Sequence, residues 1–377
     1  MALTPQPFEV GCWSGSYVVD DGGRPTILYT RVAGDDWGQG KVAVALGDPS
    51  SRYWVSTAAD VVIDGPPADL GVHAFRDPYV FRHGGDWVML MAAGLLDGSG
   101  ATLQYRSSDL RNWSYDGVLC ARLSSRDDSA WTGALWECPQ LFPMGPDWVL
   151  LLSVWDADVL HYVAAAVGEY DGARFSPRRW QRLTYGSSAY AMSAFTDKDG
   201  RRCVLSWLRE EPRNNPALTE RAGAHSVAAL LAIGPDGRLG LQPHPDVNAR
   251  RRAPVSEGTP DEEGTSYTAG ADPADAVLSV RGPSALIIAG LEGTRARISI
   301  DPRRPEVLIE RPGFDHGRVP LSATGAESEV RVLVDADIVE IFAVGTYGAF
   351  RIAPAQGETT RLTLVGPQPA PGALHLL

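Results

Sequence analysis

ECPQLFPMGPDWVLLLSVW, residues 137–155, is the stretch whose reading decides the fold. A short strand leads into a Gly-Pro-Asp turn, and a strongly apolar strand follows. HYVAAAVGEYDGARFSP (161–177) then supplies a third strand, another turn and a weaker fourth strand. The same plan recurs in GSYVVDDGGRPTILYT (15–30) with GKVAVALGDPSSRYWV (40–55), and in RDPYVFRHGGDWVMLMAAG (76–94) with ATLQYRSSDLRNWSYDG (101–117). It returns once more in MSAFTDKDGRRCVLSWLRE (192–210) with HSVAALLAIGPDGRLGLQP (225–243). DDGG, HGGD, GPD and DKDG sit where tight hairpins demand Gly, Asp or Asn. A four-stranded antiparallel unit repeated about every sixty residues is a β-propeller blade. The spacing predicts an all-β chain with four visible blades over about residues 8–245.

Beyond them PHPDVNARRRAPVSEGTPDEEG (243–264) is rich in Pro, charge and turn formers, which places a linker at 246–264. AVLSVRG, SALIIAG, ARISIDP, EVLIERP, VRVLVDADIVEIFAVG and RLTLVG follow as short alternating strands without the blade plan. They predict a C-terminal β-sandwich over 265–377, with ALIIAGLEG and VLVDADIVEIFA as hairpins.

Composition narrows the function. A length of 377 residues leaves room for two domains, and a net charge of -12 argues against nucleic acid, whose backbone needs a basic face. The four cysteines are scattered without a CxxC pair, so zinc and disulfide-framework readings are weak; no metal or organic cofactor is implied, because two carboxylates suffice for the site chemistry read below. MALTPQPFEV has neither a basic nor an apolar leader region, and the longest apolar run, VLLLSVW, is too short to span a bilayer. No membrane partner and a cytoplasmic location are the expectation.

The polar residues fall in one slot of the repeat. WSGS precedes the leading strand of the first blade, FRDP that of the second, WECP that of the third and SAYAMS that of the fourth. In a propeller these ends point at the central axis, which gathers Asp77 and Glu137 into one pocket with Trp13, Ser14, Arg76 and Tyr190. Two carboxyls beside an arginine and aromatic walls suit sugar chemistry. Burial of a carboxyl among apolar bulk would favour its protonated form, which would suit Glu137 to donate a proton. The plainer alternatives are a strand-entry Glu137 turned to water, a local Arg76–Asp77 ion pair, and Trp13 and Trp136 as core.

Together WSGS, FRDP and WECP, in order, with the Tyr190-Ala191 pair, SWLRE and VRVLVDADIVEIF, make the chain similar to glycoside hydrolase family 32, the β-fructofuranosidases. The resemblance implies a five-bladed propeller, a β-sandwich and retaining hydrolysis of fructose-containing oligo- or polysaccharides. It implies Glu137 as acid/base and Asp77 as transition-state stabiliser, with Arg76 shaping both charges. Trp13, Ser14 and Trp207 would line the fructosyl subsite, and Cys138 would help set the pKa of Glu137. Pro139 would be tolerated as the interruption of a strand end.

Two departures stand out. The nucleophilic aspartate of a WMNDPNG-type motif is not in this sequence, so the four blades correspond to blades two to five and the nucleophile-bearing blade would lie upstream of Met1. Asp20 and Asp21 sit in a hairpin turn and are poor substitutes. The fourth blade has Thr184-Tyr185-Gly186-Ser187-Ser188-Ala189-Tyr190-Ala191 where the family pattern is Asp-x-Gly-x-Asp-Phe-Tyr-Ala. Three readings stay open: a fragment of an ordinary fructosidase, a carbohydrate-binding propeller without hydrolysis, or a scaffold recruited for other acid-catalysed chemistry. Open blade edges leave self-association available to each.

Overall fold

A computed structural model describes residues 3–34, 38–48, 50, 52–211, 222–252, 255, 258–260, 264–321, 328–354, 359–366 and 374–377. The described residues form strands almost throughout, and no helix among them is long and apolar enough to cross a membrane. The chain divides into two compact units, Met1–Arg182 and Leu183–Leu377.

The first unit holds three antiparallel sheets, each a simple meander. β1 (Gly11–Val19), β2 (Pro25–Val32), β3 (Lys41–Gly47) and β4 (Trp54–Val55) make the first, with β5 (Val61–Ile63) also on β3. β6 (Val72–His83), β7 (Asp86–Leu95), β8 (Gly100–Ser107) and β9 (Ser114–Arg122) make the second. β10 (Leu135–Met144), β11 (Asp147–Asp156), β12 (Val159–Tyr170) and β13 (Phe175–Arg182) make the third. The turns form where the sequence predicts them. His83 pairs with Asp86 across Gly84 and Gly85, whose φ values of 62° and 92° are those a two-residue hairpin needs.

The apolar runs of the second strands follow from stacking. Trp87, Met89 and Met91 of β7 join Leu28, Val42 and Val44 of the first sheet in one core. From the opposite face of the same strand, Val88 and Leu90 join Leu141, Leu150 and Leu152 of the third sheet in another. A strand buried on both faces loses polar alternation and reads as a continuous hydrophobic run.

The second unit carries the fourth blade-type sheet and the sandwich. β14 (Thr184–Tyr185) opens the unit, and the sheet itself is β15 (Ala189–Thr196), β16 (Arg202–Leu208), β18 (Ala229–Ile233) and β19 (Leu239–Pro243), with β17 (Ala224–His225) also on β16. α1 (Pro245–Ala249) follows. A seven-stranded and a six-stranded sheet then share one core, with Leu286, Ile298 and Ile309 from the first against Val330, Val332 and Ile341 from the second. Both expected sandwich hairpins form: Ser284–Gly290 turns onto Gly293–Ile300, and Ser328–Asp335 onto Ile338–Ala343.

The division at 182/183 falls upstream of the segment expected as linker. β14 explains part of this, because Thr184 and Tyr185 pair in parallel with Tyr347 and Gly348 of the six-stranded sheet. Within 246–264, residues 253–254, 256–257 and 261–263 lie outside the described residues.

Candidate active site

Each leading strand is broken at the slot singled out in the sequence. In β6 the pairing passes from Arg76↔Ala92 to Tyr79↔Leu90, in β10 from Glu137↔Ser153 to Gln140↔Leu151, and in β15 from Tyr190↔Trp207 to Ser193↔Leu205. Two residues lie opposite one in every case, which is a β-bulge. The residue after each anchor adopts a left-handed conformation: Asp77 at φ 60°, Cys138 at 49° and Ala191 at 44°. Such backbone is costly for a residue with a Cβ and gathers at functional sites. β1 slips between Trp13 and Gly15. Arg76, Glu137 and Tyr190 are therefore equivalent positions, as are Asp77, Cys138 and Ala191.

Pro139 lies inside β10, and Pro78 inside β6, not at a strand end as expected. The bulge removes the ladder hydrogen bond that proline could not make.

In the first unit these slots meet. Arg76 donates from Nε and Nη2 to Oε1 of Glu137, at 2.9 and 2.7 Å. The neighbour of Glu137 is thus a cation and not apolar bulk, and the pairing meets the cost of burying its charge. Arg76 sends these bonds to the next sheet, although Asp77 adjoins it in sequence.

Asp77 is the carboxyl that burial perturbs. Its pKa rises from 3.8 to about 6, first through desolvation and then through the Glu137 charge, against the Cys138 backbone N–H and the Arg76 charge. Cys138 donates its N–H to Oδ2 of Asp77 at 2.9 Å and directs its thiol to the same oxygen at 3.6 Å. The hydrogen bonds of Cys138 therefore serve Asp77, where the resemblance implied a role toward Glu137. Burial, followed by the Asp77 and Glu137 charges, pushes the Cys138 thiol well above its ordinary range, so it is not a thiolate nucleophile. Ser14 also reaches that thiol.

Two hydroxyls escaped the sequence reading. Thr30 on β2 accepts the Asp77 N–H at 2.7 Å and donates to the Ser14 carbonyl at 3.1 Å. Ser16 on β1 donates to the Pro78 carbonyl at 3.0 Å and accepts the Val80 N–H at 2.9 Å. The available signal was a buried threonine within the apolar run ILYTRV.

Other candidates resolve individually. Trp13 is half-buried and Ser14 exposed, whereas Trp136 is core, with its indole N–H on the Thr132 carbonyl at 3.0 Å. Asp20 accepts the Arg24 N–H and Asp21 pairs with Arg82, both in the β1–β2 turn region. Glu9, also buried, is committed to Arg31 and Tyr29 at 2.9 Å each. Tyr190 and Trp207 belong to the second unit. There Tyr190 is buried beneath the Arg209 guanidinium, and Trp207 is exposed, its indole N–H on the Ala222 carbonyl at 2.7 Å. Thr184 and Ser188, at the two positions where the family pattern has Asp, are buried and bond inwardly, to the Ala189 carbonyl and Glu211.

Asp197, Cys203 and His244 are the one group of ligand-type side chains close enough together for a metal among the described residues. Their chemistry does not fit one. Both ring nitrogens of His244 already face protein partners: Nδ1 accepts the Asp246 N–H at 3.2 Å, and Nε2 lies 3.1 Å from Asp197 Oδ2 and 3.2 Å from Arg201 Nη2. The Arg201 guanidinium already holds Asp197 at 2.6 Å.

The pKa of Asp77 gives a stability prediction. Folding raises it from 3.8 to about 6, so the native state keeps a proton that the unfolded chain releases. The stabilisation is complete below about pH 4 and is lost as pH rises through 6. Asp77→Asn keeps the neutral form at every pH. It is expected to unfold level with the parent at pH 4 and later above pH 6, by on the order of 2–3 kcal/mol, in urea titrations at the two pH values.

Residues 1–243 match the family described as glycosyl hydrolases family 32 N-terminal domain. A fructan 1-exohydrolase of Hordeum vulgare is 30% identical over 268 residues, 63% of this chain and 43% of that protein. Beta-fructofuranosidase, insoluble isoenzyme 7, of Oryza sativa subsp. japonica is 31% identical over 294 residues, 68% of this chain and 48% of that protein. Among solved structures, a family 32 beta-fructofuranosidase of Bombyx mori superposes with a TM-score of 0.80 at 23% identity, covering 100% of this chain and 80% of that one. A fructan 1-exohydrolase IIa of Cichorium intybus in complex with 1-kestose gives 0.69 at 20% identity, covering 99% and 84%. The fold is of the class that joins propeller-blade sheets to a β-sandwich. The chain belongs to glycoside hydrolase family 32. It spans less than half the length of the curated relatives above.

Proposed function

We propose that this chain carries the acid and anchoring half of a retaining β-fructofuranosidase site for sucrose or fructans. The observation that supports this most is the pair of bulges that sets the Arg76–Glu137 ion pair beside the buried Asp77–Cys138 pair. Glu137 protonates the leaving glycosidic oxygen and later activates water, while Asp77 grips fructose hydroxyls. A retaining reaction also needs a carboxylate about 5–5.5 Å from the acid to form the glycosyl intermediate. The WMNDPNG-type motif that carries it is not in this sequence, so that carboxylate is assigned to no residue of this chain.

The test is fructose release from sucrose, inulin and levan by this chain, with Glu137→Gln as control. Release that the substitution abolishes supports the enzyme reading. A second reading, a sugar-binding propeller without hydrolysis, is favoured by the absent motif and by the inward-bonded Thr184 and Ser188. It predicts fructoside binding by calorimetry with no release.

A further inference from the structure

We propose that Thr30 is the positioning residue that sets Asp77 for substrate, holding the left-handed turn of β6 from the neighbouring sheet. The proposal rests on the reading of Asp77 as the group that grips fructose. At φ 60° the Asp77 backbone is strained, and a strained conformation persists only where its surroundings over-determine it. Thr30 supplies that determination at the strained residue itself. It is fully buried, and its one hydroxyl accepts the Asp77 N–H while giving its proton to the Ser14 carbonyl. Both roles are filled, so the hydroxyl direction is fixed.

The rest of the first sheet braces the same segment on either side. Ahead of Asp77, the Phe75 N–H donates to the Gly38 carbonyl at 2.9 Å and the Phe75 carbonyl accepts the Gly40 N–H at 2.8 Å. Behind it, Ser16 takes the Pro78 carbonyl and the Val80 N–H, the groups that flank the bulge. Thr30 cannot easily turn away either. A Cβ on Gly40 would come within 2.4 Å of its methyl, which shows how closely that backbone passes. The Ser14 carbonyl belongs to the bulge of β1, so one hydroxyl ties the first two slots together. With the peptide plane fixed, the Asp77 carboxyl faces the Cys138 N–H.

Thr30→Val keeps the shape and removes the hydroxyl, leaving the Asp77 N–H buried without its partner. The expected result is a fructose affinity about tenfold weaker by calorimetry. Thr30→Ser, which keeps the hydroxyl, is expected to bind within about twofold of the parent. The second readout is the Asp77 titration, followed by NMR of carboxyl-labelled aspartate and assigned with Asp77→Asn. It is expected to move in the valine variant and to stay in the serine variant. Should the valine chain not fold, Thr30→Cys, similar in size and a far weaker acceptor, takes its place. Unchanged affinity and titration in Thr30→Val, or equal damage in Thr30→Ser, would overturn the proposal. If the parent itself binds no fructose, the reading of the site fails, and the Asp77 titration alone decides the role of Thr30.

Discussion

On the proposed reading of the site, Glu137→Gln is expected to lower fructose release from sucrose by about 10²- to 10⁴-fold, the contribution of a positioned general acid. Glutamine keeps the size of the side chain and an oxygen for the Arg76 guanidinium, which donates twice to Oε1. The local fold survives while the proton is gone. The loss depends on the leaving group. Sucrose needs its departing oxygen protonated, whereas an aryl fructoside leaves as a weak base and needs little help. The variant is therefore expected to lose far less on the aryl substrate, with rates compared on both at the same pH. The electrostatics sharpen the comparison, because the carboxyl pushed up to about 6 is Asp77 and it neighbours Glu137. If Asp77→Asn, and not Glu137→Gln, shows the leaving-group-dependent loss, the two carboxyls exchange roles.

Arg351→Met is expected to destabilise the second unit by about 3–5 kcal/mol, the cost of stripping one partner from buried ion pairs. Arg351 is fully buried. Its guanidinium donates to the Leu208 and Arg209 carbonyls at 2.9 and 3.1 Å, to Glu210 at 3.0 Å and to Asp337 at 3.1 Å. Its backbone N–H meets Glu211 at 3.2 Å, and its carbonyl receives Arg311 at 2.7 Å. This network fastens the end of β16, the SWLRE stretch, to the six-stranded sheet of the sandwich. Methionine fills the volume but removes the guanidinium that both Glu210 and Asp337 contact. In a unit of this size the transition is expected about 10 °C lower by calorimetry. Neutralising both acids as well, with Glu210→Gln and Asp337→Asn, is expected to recover much of the loss. No recovery would mean that packing, not charge, is what Arg351 contributes.

The blades were legible because their turns are chemically demanding. Gly84-Gly85 and Gly145-Pro146 stand where the backbone reverses, and the apolar second strands β7 and β11 are the stacked centres of their sheets. The slots were legible as positions, since the same offset from a turn recurs in each blade. What the slots hold was not. A one-residue slip depends on the strand across the ladder, and nothing in RDPY or ECPQ announces it. Arg76 beside Asp77 suggests a local pair, yet its partner is sixty-one residues away. The division at 182/183 was hidden for a similar reason. Composition shifts at 243–264, where the strand plan changes, whereas compactness depends on which faces meet, as Arg351 and β14 show.

The recurring kink also bears on how such a site can change. Three leading strands bend in the same way, and the residue ahead of the bend is a guanidinium in one, a carboxyl in the next and a phenol in the third. The backbone device does not depend on the chemistry mounted on it. Positions 76, 137 and 190 are thus equivalent sockets, each set by the bulge of its own strand. New specificity can be explored by exchanging single side chains there, with no loop to be rebuilt.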